Sequence, residues 1–176
     1  MQLRSVALVS LLEWDQRWTR RLNASVGITP VRVIFRLASR LGNGVFWYSV
    51  MLALSVTQGR AGLEVALRML VAGLISLVIY KLLKCRTTRP RPYQALAGIR
   101  AGIDPLDAFS FPSGHTLHAV AFTLVAVSHF PALTWIFVPF TMLVAISRVV
   151  LGLHYPSDVL AGAVIGAGVA QAVLTL

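Results

Sequence analysis

Cysteine is almost absent from the sequence: Cys85 stands alone, which excludes an internal disulfide and a cysteine-based zinc site. Charge is sparse, at 12% of 176 residues, while 57% are hydrophobic and mean hydropathy is +0.76, a composition too apolar for an ordinary soluble domain. No linker of Ser, Gly or Pro, no internal repeat and no low-complexity tract divides the chain, so residues 1–176 are expected to form a single membrane domain. A secretory signal is not expected, because the apolar run from Val6 to Leu12 is short and meets Glu13 and Trp14 instead of a small-residue cleavage site. The charge that is present is one-sided, with a formal net of +10. Its cations alternate with segments that lipid would bury, which fits anionic headgroups or phosphate substrates and argues against nucleic acid as a partner.

Apolar stretches at 44–58, 62–83, 114–130, 132–147 and 157–176 approach the ~20 residues that cross a bilayer core. The expected fold is therefore all-α, a multi-pass transmembrane helical bundle of about five to six membrane helices. The short links at Gln58–Gly62 and around Pro131 make consecutive helices antiparallel neighbours. Residues 1–42 read differently. Leu11, Leu12, Trp14, Trp18 and Leu22 are interleaved with Glu13, Asp15, Arg17, Arg20 and Arg21, an interfacial amphipathic pattern, and Arg32, Arg36 and Arg40 form a basic stripe at i, i+4, i+8. Neither piece spans comfortably, and this region is expected to form part of a lateral entrance for lipid. Counting turns through residues 44–176 brings the loop 84–113, the loop 148–156 and the N-terminal region to one face of the membrane.

Three polar segments therefore meet: Lys84 with Arg91-Pro92, then Pro112-Ser113-Gly114-His115, then Ser147-Arg148 with His154 and Asp158. A phosphate ester repels nucleophiles, so its cleavage depends on positioning and on stabilising charge at the equatorial oxygens. Lys84, Arg91 and Arg148 can supply that cradle, the arginines through a planar fork that holds two oxygens. Pro112-Ser113-Gly114 starts a helix whose free N–H groups attract anions, and His115 projects from its first turn. His154 is the nucleophile candidate, since Asp158 can accept a hydrogen bond from one ring nitrogen and leave the other free to attack. His115 is then the general acid for the leaving oxygen and the base for the water that hydrolyses a phosphohistidine. The scheme requires no metal and no cofactor.

These segments, Lys84-x6-Arg91-Pro92, Pro112-Ser113-Gly114-His115 and Ser147-Arg148-x5-His154-x3-Asp158, resemble the three-part signature of the type-2 phosphatidic acid phosphatases, and match it at every signature position over residues 81–160. The resemblance implies that Lys84, Arg91, Ser113, Gly114 and Arg148 bind phosphate, that His115 is the acid/base, and that His154 with Asp158 is the nucleophile pair. It further implies an integral lipid phosphatase of the bacterial cytoplasmic membrane, with the site on the outer side, although the arginine-rich face alone would place it in the cytoplasm. Membrane members of that superfamily usually have six spanning helices; here the first is replaced by shorter amphipathic pieces.

Each segment alone has a plainer meaning: a basic cluster beside a span is a topology signal, Ser-Gly is a helix start, and Asp158 suits a helix's first turn. Those meanings predict no ordering among the three. Arg86 and Arg89, which the signature leaves open, either grip a second phosphate, as on undecaprenyl diphosphate, or form a headgroup-contacting basic loop. The loop Tyr93–Phe111, with Gly98, Gly102, Asp104, Asp107, Phe109 and Phe111, reads as a lid. His118 and Cys85 are expected only to pack, His129 to end a helix, and Gly162, Gly166 and Ala170 to permit close helix contact. Undecaprenyl diphosphate leads the substrate readings. Phosphatidylglycerol phosphate, phosphatidic acid and lipid A phosphates, phosphotransfer to another lipid, and a non-enzymatic lipid-binding or flippase-like protein are the alternatives.

Overall fold

The computed structural model describes residues 2–105 and 107–176, with backbone only for residues 2–7. The helices are α1 (Gln2–Asn23), α2 (Thr29–Leu41), α3 (Val45–Thr57), α4 (Gly59–Arg86), the one-turn α5 (Pro92–Ala95), α6 (Gly114–His129), α7 (Thr134–Val150) and α8 (Pro156–Leu174), and the described residues contain no strand. The all-helical expectation holds. By length and composition, three helical segments among the described residues can cross a membrane: Gly59–Arg86, Pro131–Val150 and Pro156–Leu174, of 28, 20 and 19 residues. The helices α3 and α6, expected as spans over 44–58 and 114–130, have 13 and 16 residues and fall short of that length.

At the centre lies α6, packed on α4, α7 and α8. Its contact with α8 is close because two glycines of α8 have no side chain in the way. A Cβ on Gly162 would lie 2.6 Å from the Ser113 carbonyl oxygen, and one on Gly166 2.4 Å from that of Leu117. Ala170 continues this face and is buried. The expected small-residue contact is thus present, and it draws the first turn of α8, with Asp158, against the first turn of α6, where the Ser113 N–H donates to the Asp158 carbonyl oxygen at 3.1 Å. Around α6 the apolar core is built from Trp47, Met69, Phe122, Val125, Val144 and Val169. A smaller cluster of Val26, Val150, Leu151 and Leu153 underlies the turn between α7 and α8.

The N-terminal helix reverses the usual direction of amphipathicity. Continuous over 22 residues, α1 buries its polar stripe Asp15, Thr19 and Asn23 against the protein and exposes Leu11, Leu12, Trp14 and Trp18. A helix in lipid is expected to turn this way, since polar groups are costly facing hydrocarbon and find partners inside. Asn23 shows why: its side-chain amide donates to the carbonyls of Val150 and Arg100 at 2.8 and 2.9 Å and accepts from the Arg100 N–H at 2.9 Å. In the stripe of Arg32, Arg36 and Arg40 on α2, Arg32 is half-buried while Arg36 and Arg40 are exposed, Arg36 donating to the Gly102 carbonyl. Cys85, expected to pack, is exposed. His129 ends α6, its Nδ1 within 3.1 Å of the Val125 carbonyl oxygen, as expected.

Candidate active site

The nucleophile candidate is delivered by a tight turn. Gly152 takes φ +72, and a Cβ there would lie 2.7 Å from the Arg100 carbonyl oxygen, so a larger residue could not make this bend. The N–H groups of Leu153 and His154 both donate to the Arg148 carbonyl at 3.1 Å, which winds residues 151–155 back over the end of α7. His154 is 2% exposed as a result. Its Nε2 accepts a hydrogen bond from Arg91 Nη1 at 3.3 Å, and Nη1 is itself anchored on the Leu153 carbonyl at 2.8 Å. A nitrogen that accepts from a guanidinium carries a lone pair, so the proton belongs on Nδ1, the nitrogen that faces Asp158. Burial, then the charges of Arg148, Arg91 and Lys84, hold His154 well below the usual histidine range and keep it neutral.

The expected hydrogen bond to Asp158 is incomplete. Nδ1 stands 3.7 Å from Asp158 Oδ2, beyond hydrogen-bond length, and has no hydrogen-bond partner among the described residues. Both carboxylate oxygens are engaged elsewhere: Oδ2 accepts from the Tyr155 N–H at 2.8 Å, closing the N-terminus of α8, and Oδ1 accepts from Arg89 at 2.6 Å. The two side chains are adjacent without being hydrogen-bonded.

Opposite His154 lies a cavity of about 340 Å³ whose polar end is lined by Arg91, Arg148, His154, His115, Gly114 and Asp107. Arg148 is 3% exposed and donates to Ser39 Oγ of α2, while its Nε has no partner among the described residues. His115 bonds through Nε2 to Asn43 Oδ1 in the turn before α3. Gly114 is demanded by packing as much as by an anion, since a Cβ would lie 2.7 Å from the Tyr80 ring.

Lys84 and Ser113 do not line this cavity. Ser113 Oγ pairs with Thr116 Oγ1 at 3.0 Å, and Lys84 donates to Asp107 and to the Phe109 carbonyl. The loop read as a lid therefore supplies a carboxylate to the cationic cradle. Asp107 accepts from Arg91 Nη2 at 2.7 Å as well as from Lys84 and Tyr80. Burial alone would raise its pKa, but the hydrogen bonds from Lys84 and Tyr80 and the charge of Arg91 hold it at about 2.

Beyond the polar end the cavity becomes apolar. It continues between α3 and α4 along Trp47, Met51, Leu70, Leu74 and Leu77, and the three leucines of α4 are themselves exposed on the outer surface. Of the N-terminal region 1–42, expected at a lateral entrance, Gly42 lines the cavity, together with Asn43 and Gly44 of the α2–α3 turn, and among the described residues α1 does not. His118, expected only to pack, both packs on Phe122 and lines the cavity. Arg89 does not face the cavity. It is held by Asp15 at 2.7 Å and Asp158 at 2.6 Å and stacks over the Tyr155 ring, which removes it from any grip on a second phosphate. Sequence patterns missed Asp15, Ser39 and Asn43 as site residues; only Asp15, in step with Thr19 and Asn23 on an otherwise apolar helix, left a detectable signal.

Undecaprenyl-diphosphatase BcrC of Bacillus subtilis (strain 168) is 34% identical over 95 residues, 54% of this chain and 49% of that protein. A lipid A 1-phosphatase of Rhizobium johnstonii is 41% identical over 58 residues, 33% of this chain and 24% of that protein. The aligned part thus spans half or less of the length of these curated relatives. The crystal structure of Aquifex aeolicus LpxE is similar with a TM-score of 0.81 at 26% identity, over 92% of this chain and 95% of that one. That of a transmembrane PAP2-type phosphatidylglycerolphosphate phosphatase from Bacillus subtilis shares the fold, with a TM-score of 0.60 at 24% identity, over 95% and 94%. The PAP2 superfamily profile matches residues 65–176, which carry Lys84, Arg91, the Ser113–His115 turn, Arg148, His154 and Asp158, and on that match the chain belongs to the PAP2 superfamily.

Proposed function

We propose that the chain is a lipid phosphatase of the bacterial cytoplasmic membrane, acting from the outer face through a phosphohistidine on His154. The observation that carries this reading is one continuous cavity, polar at the neutral imidazole and its arginines and apolar between α3 and α4. A phosphate would enter the polar end while its lipid chain lies along Trp47, Met51 and Leu74. His154 Nε2 attacks phosphorus, the P–N bond forms and the P–O ester bond breaks, with Nδ1–H turning to Asp158. His115, held as an imidazolium by the incoming phosphate charge, gives a proton to the leaving oxygen; it then takes one from the water that breaks the P–N bond. Arg91 and Arg148 stabilise the equatorial oxygens directly. Lys84 acts beside them once Asp107 yields, and the backbone of Ser113 and Gly114 completes the cradle. No step calls for a metal or a cofactor.

For the substrate, undecaprenyl diphosphate is the first reading, supported by the likeness to BcrC over 54% of the chain. Lipid A 1-phosphate is the second, supported by the likeness to the lipid A 1-phosphatase over 33% of the chain and by the engagement of Arg89 with Asp15 and Asp158, which takes that cation from a second phosphate. The test is phosphate release by the purified full chain in detergent with EDTA, from these two lipids, phosphatidylglycerol phosphate and phosphatidic acid in parallel. Release is expected from at least one lipid and none from the His154→Ala variant. Release that survives His154→Ala would remove the nucleophile, and transfer to a lipid acceptor without free phosphate would turn the reading to a phosphotransferase.

A further inference from the structure

The machinery behind the nucleophile extends to a residue of the N-terminal helix. Arg89 lies between two buried carboxylates: Nη1 reaches Asp158 Oδ1 at 2.6 Å and Ser157 Oγ at 2.8 Å, and Nη2 reaches Asp15 Oδ2 at 2.7 Å. Asp15 and Asp158 are both fully buried. Asp15 also accepts from the Ser157 backbone N–H at 2.9 Å and from the Ser157 hydroxyl, so it caps the first turn of α8 from another helix. The N-terminus of α8 thus has two carboxylates on it, Asp158 from within and Asp15 from α1, with one guanidinium between them.

We infer that Asp15 and Arg89 are positioning residues for the proposed reaction: they fix the Asp158 carboxylate behind His154 and set how much of its negative charge reaches the ring. The inference rests on the reading of His154 as nucleophile. Were Arg89 paired with Asp158 alone, its full charge would offset the carboxylate on which the imidazole depends as it becomes positive during attack. Asp15 divides that cation between two anions, and the ladder Asp15, Arg89, Asp158, His154 alternates in sign. Nothing in this role requires contact with substrate, and neither Asp15 nor Arg89 lines the cavity.

Opposite substitutions give opposite signs. The other titratable and charged groups facing His154 are Arg91, Asp107 of the loop before α6, Arg148 of α7, Lys84 of α4, His115 of α6 and Asp158 of α8, and all are unchanged in the variants. Asp15→Asn removes a negative charge, so the acid limb of kcat/KM should move down by about half a pH unit. Arg89→Gln removes a positive one, and the limb should move up by a similar amount. Arg89→Lys keeps the charge but cannot fork, so the limb should hold while kcat falls about tenfold with KM unchanged. The experiment measures kcat, KM and the pH profile of the full chain in detergent, on whichever of the four lipids the wild type hydrolyses fastest, with His154→Ala alongside. A merely structural role would lower activity without moving the limb in any variant, and limbs of Asp15→Asn and Arg89→Gln that stay put, or that move together, overturn the inference. Either of the first two variants decides alone if the other does not fold, because each has its own predicted sign. Release that survives His154→Ala overturns the underlying reading instead, and a wild type inactive on all four lipids overturns both.

Discussion

His154 stands between two regions that treat charge in opposite ways. Behind it, Asp15, Arg89, Ser157 and Asp158 form a closed network in which both carboxylates and the guanidinium have partners within 2.9 Å. In front of it, Arg91, Arg148 and Lys84 converge with Asp107 as their carboxylate, and Arg148 Nε has no partner among the described residues. The rear charges come to a net of −1, two carboxylates against one guanidinium, while the front ones leave an excess of positive charge. A network that only has to hold its shape gains from being satisfied, because an unpaired buried charge is costly. A site that must receive an anion needs the opposite, cations kept in place by other bonds and completed by the ligand.

Breaking the front should therefore damage turnover more than it damages the fold. The largest effect after loss of His154 itself is expected for Arg148→Lys, which keeps the charge but loses the fork and the bond to Ser39; kcat should fall about a hundredfold. Thermal unfolding in detergent should change little, because this arginine's bonds are few. A comparable loss of stability would mean that the front is structural too. Breaking the rear should do the reverse in proportion. Arg89→Ala leaves Asp15 and Asp158 buried without their cation and should destabilise the fold by about 3–5 kcal/mol, read as a lowered unfolding midpoint in chemical denaturant.

How much of this division was legible in the sequence depends on how each residue is held. The front could be read in part because Lys84, Arg91, Ser113, Gly114, Arg148 and His154 fall in ordered segments with fixed spacing, and the spans between them fold those segments to one face. Gly162 and Gly166 were legible as well, since small residues a turn apart on an apolar helix have few other uses. The rear was not. Asp15 lies 142 residues from Ser157, and only the packing of α1 against α8 joins them. Arg89 reads as a cation for a second phosphate or a lipid headgroup, because its spacing to Arg91 says nothing of Asp15 or Asp158. The amphipathic pattern of α1 was recognised, but its direction depends on which side lipid lies, and hydropathy alone does not encode that. Asn43 escaped, and Asp107 reads only as part of the lid, because single polar residues in loops have no period to betray them.

The apolar end of the cavity permits a sharper cut between holding and receiving. Gly73 of α4 lines it, and a Cβ there would lie 3.0 Å from the Phe122 ring. Gly73→Leu should obstruct the path for a lipid chain and leave the phosphate cradle untouched. KM for a long-chain lipid phosphate is expected to rise about tenfold while that for a short soluble phosphate monoester stays the same. A parallel rise for both would mean that the groove between α3 and α4 is not where the chain lies.

The mildest change tests the carboxylate in front. Asp107 lies where a phosphate oxygen would compete for Arg91 and Lys84, and any anion entering the cradle must displace it. Asp107→Asn keeps the shape and removes the charge, so inorganic phosphate should inhibit several-fold more strongly, on the order of one ion pair's worth. The pH dependence is fixed by sign. A carboxyl depressed to about 2 stays ionised at every pH at which the protein would be assayed, so Asp107 itself adds no pH dependence to the difference between variant and wild type, which should grow only as phosphate becomes a dianion. Its contribution to folding is likewise present above the ordinary carboxylate range and is lost only as pH falls toward 2. A variant that binds phosphate no better than wild type would mean that Asp107 remains in place when the anion arrives and belongs with the rear network, as structure.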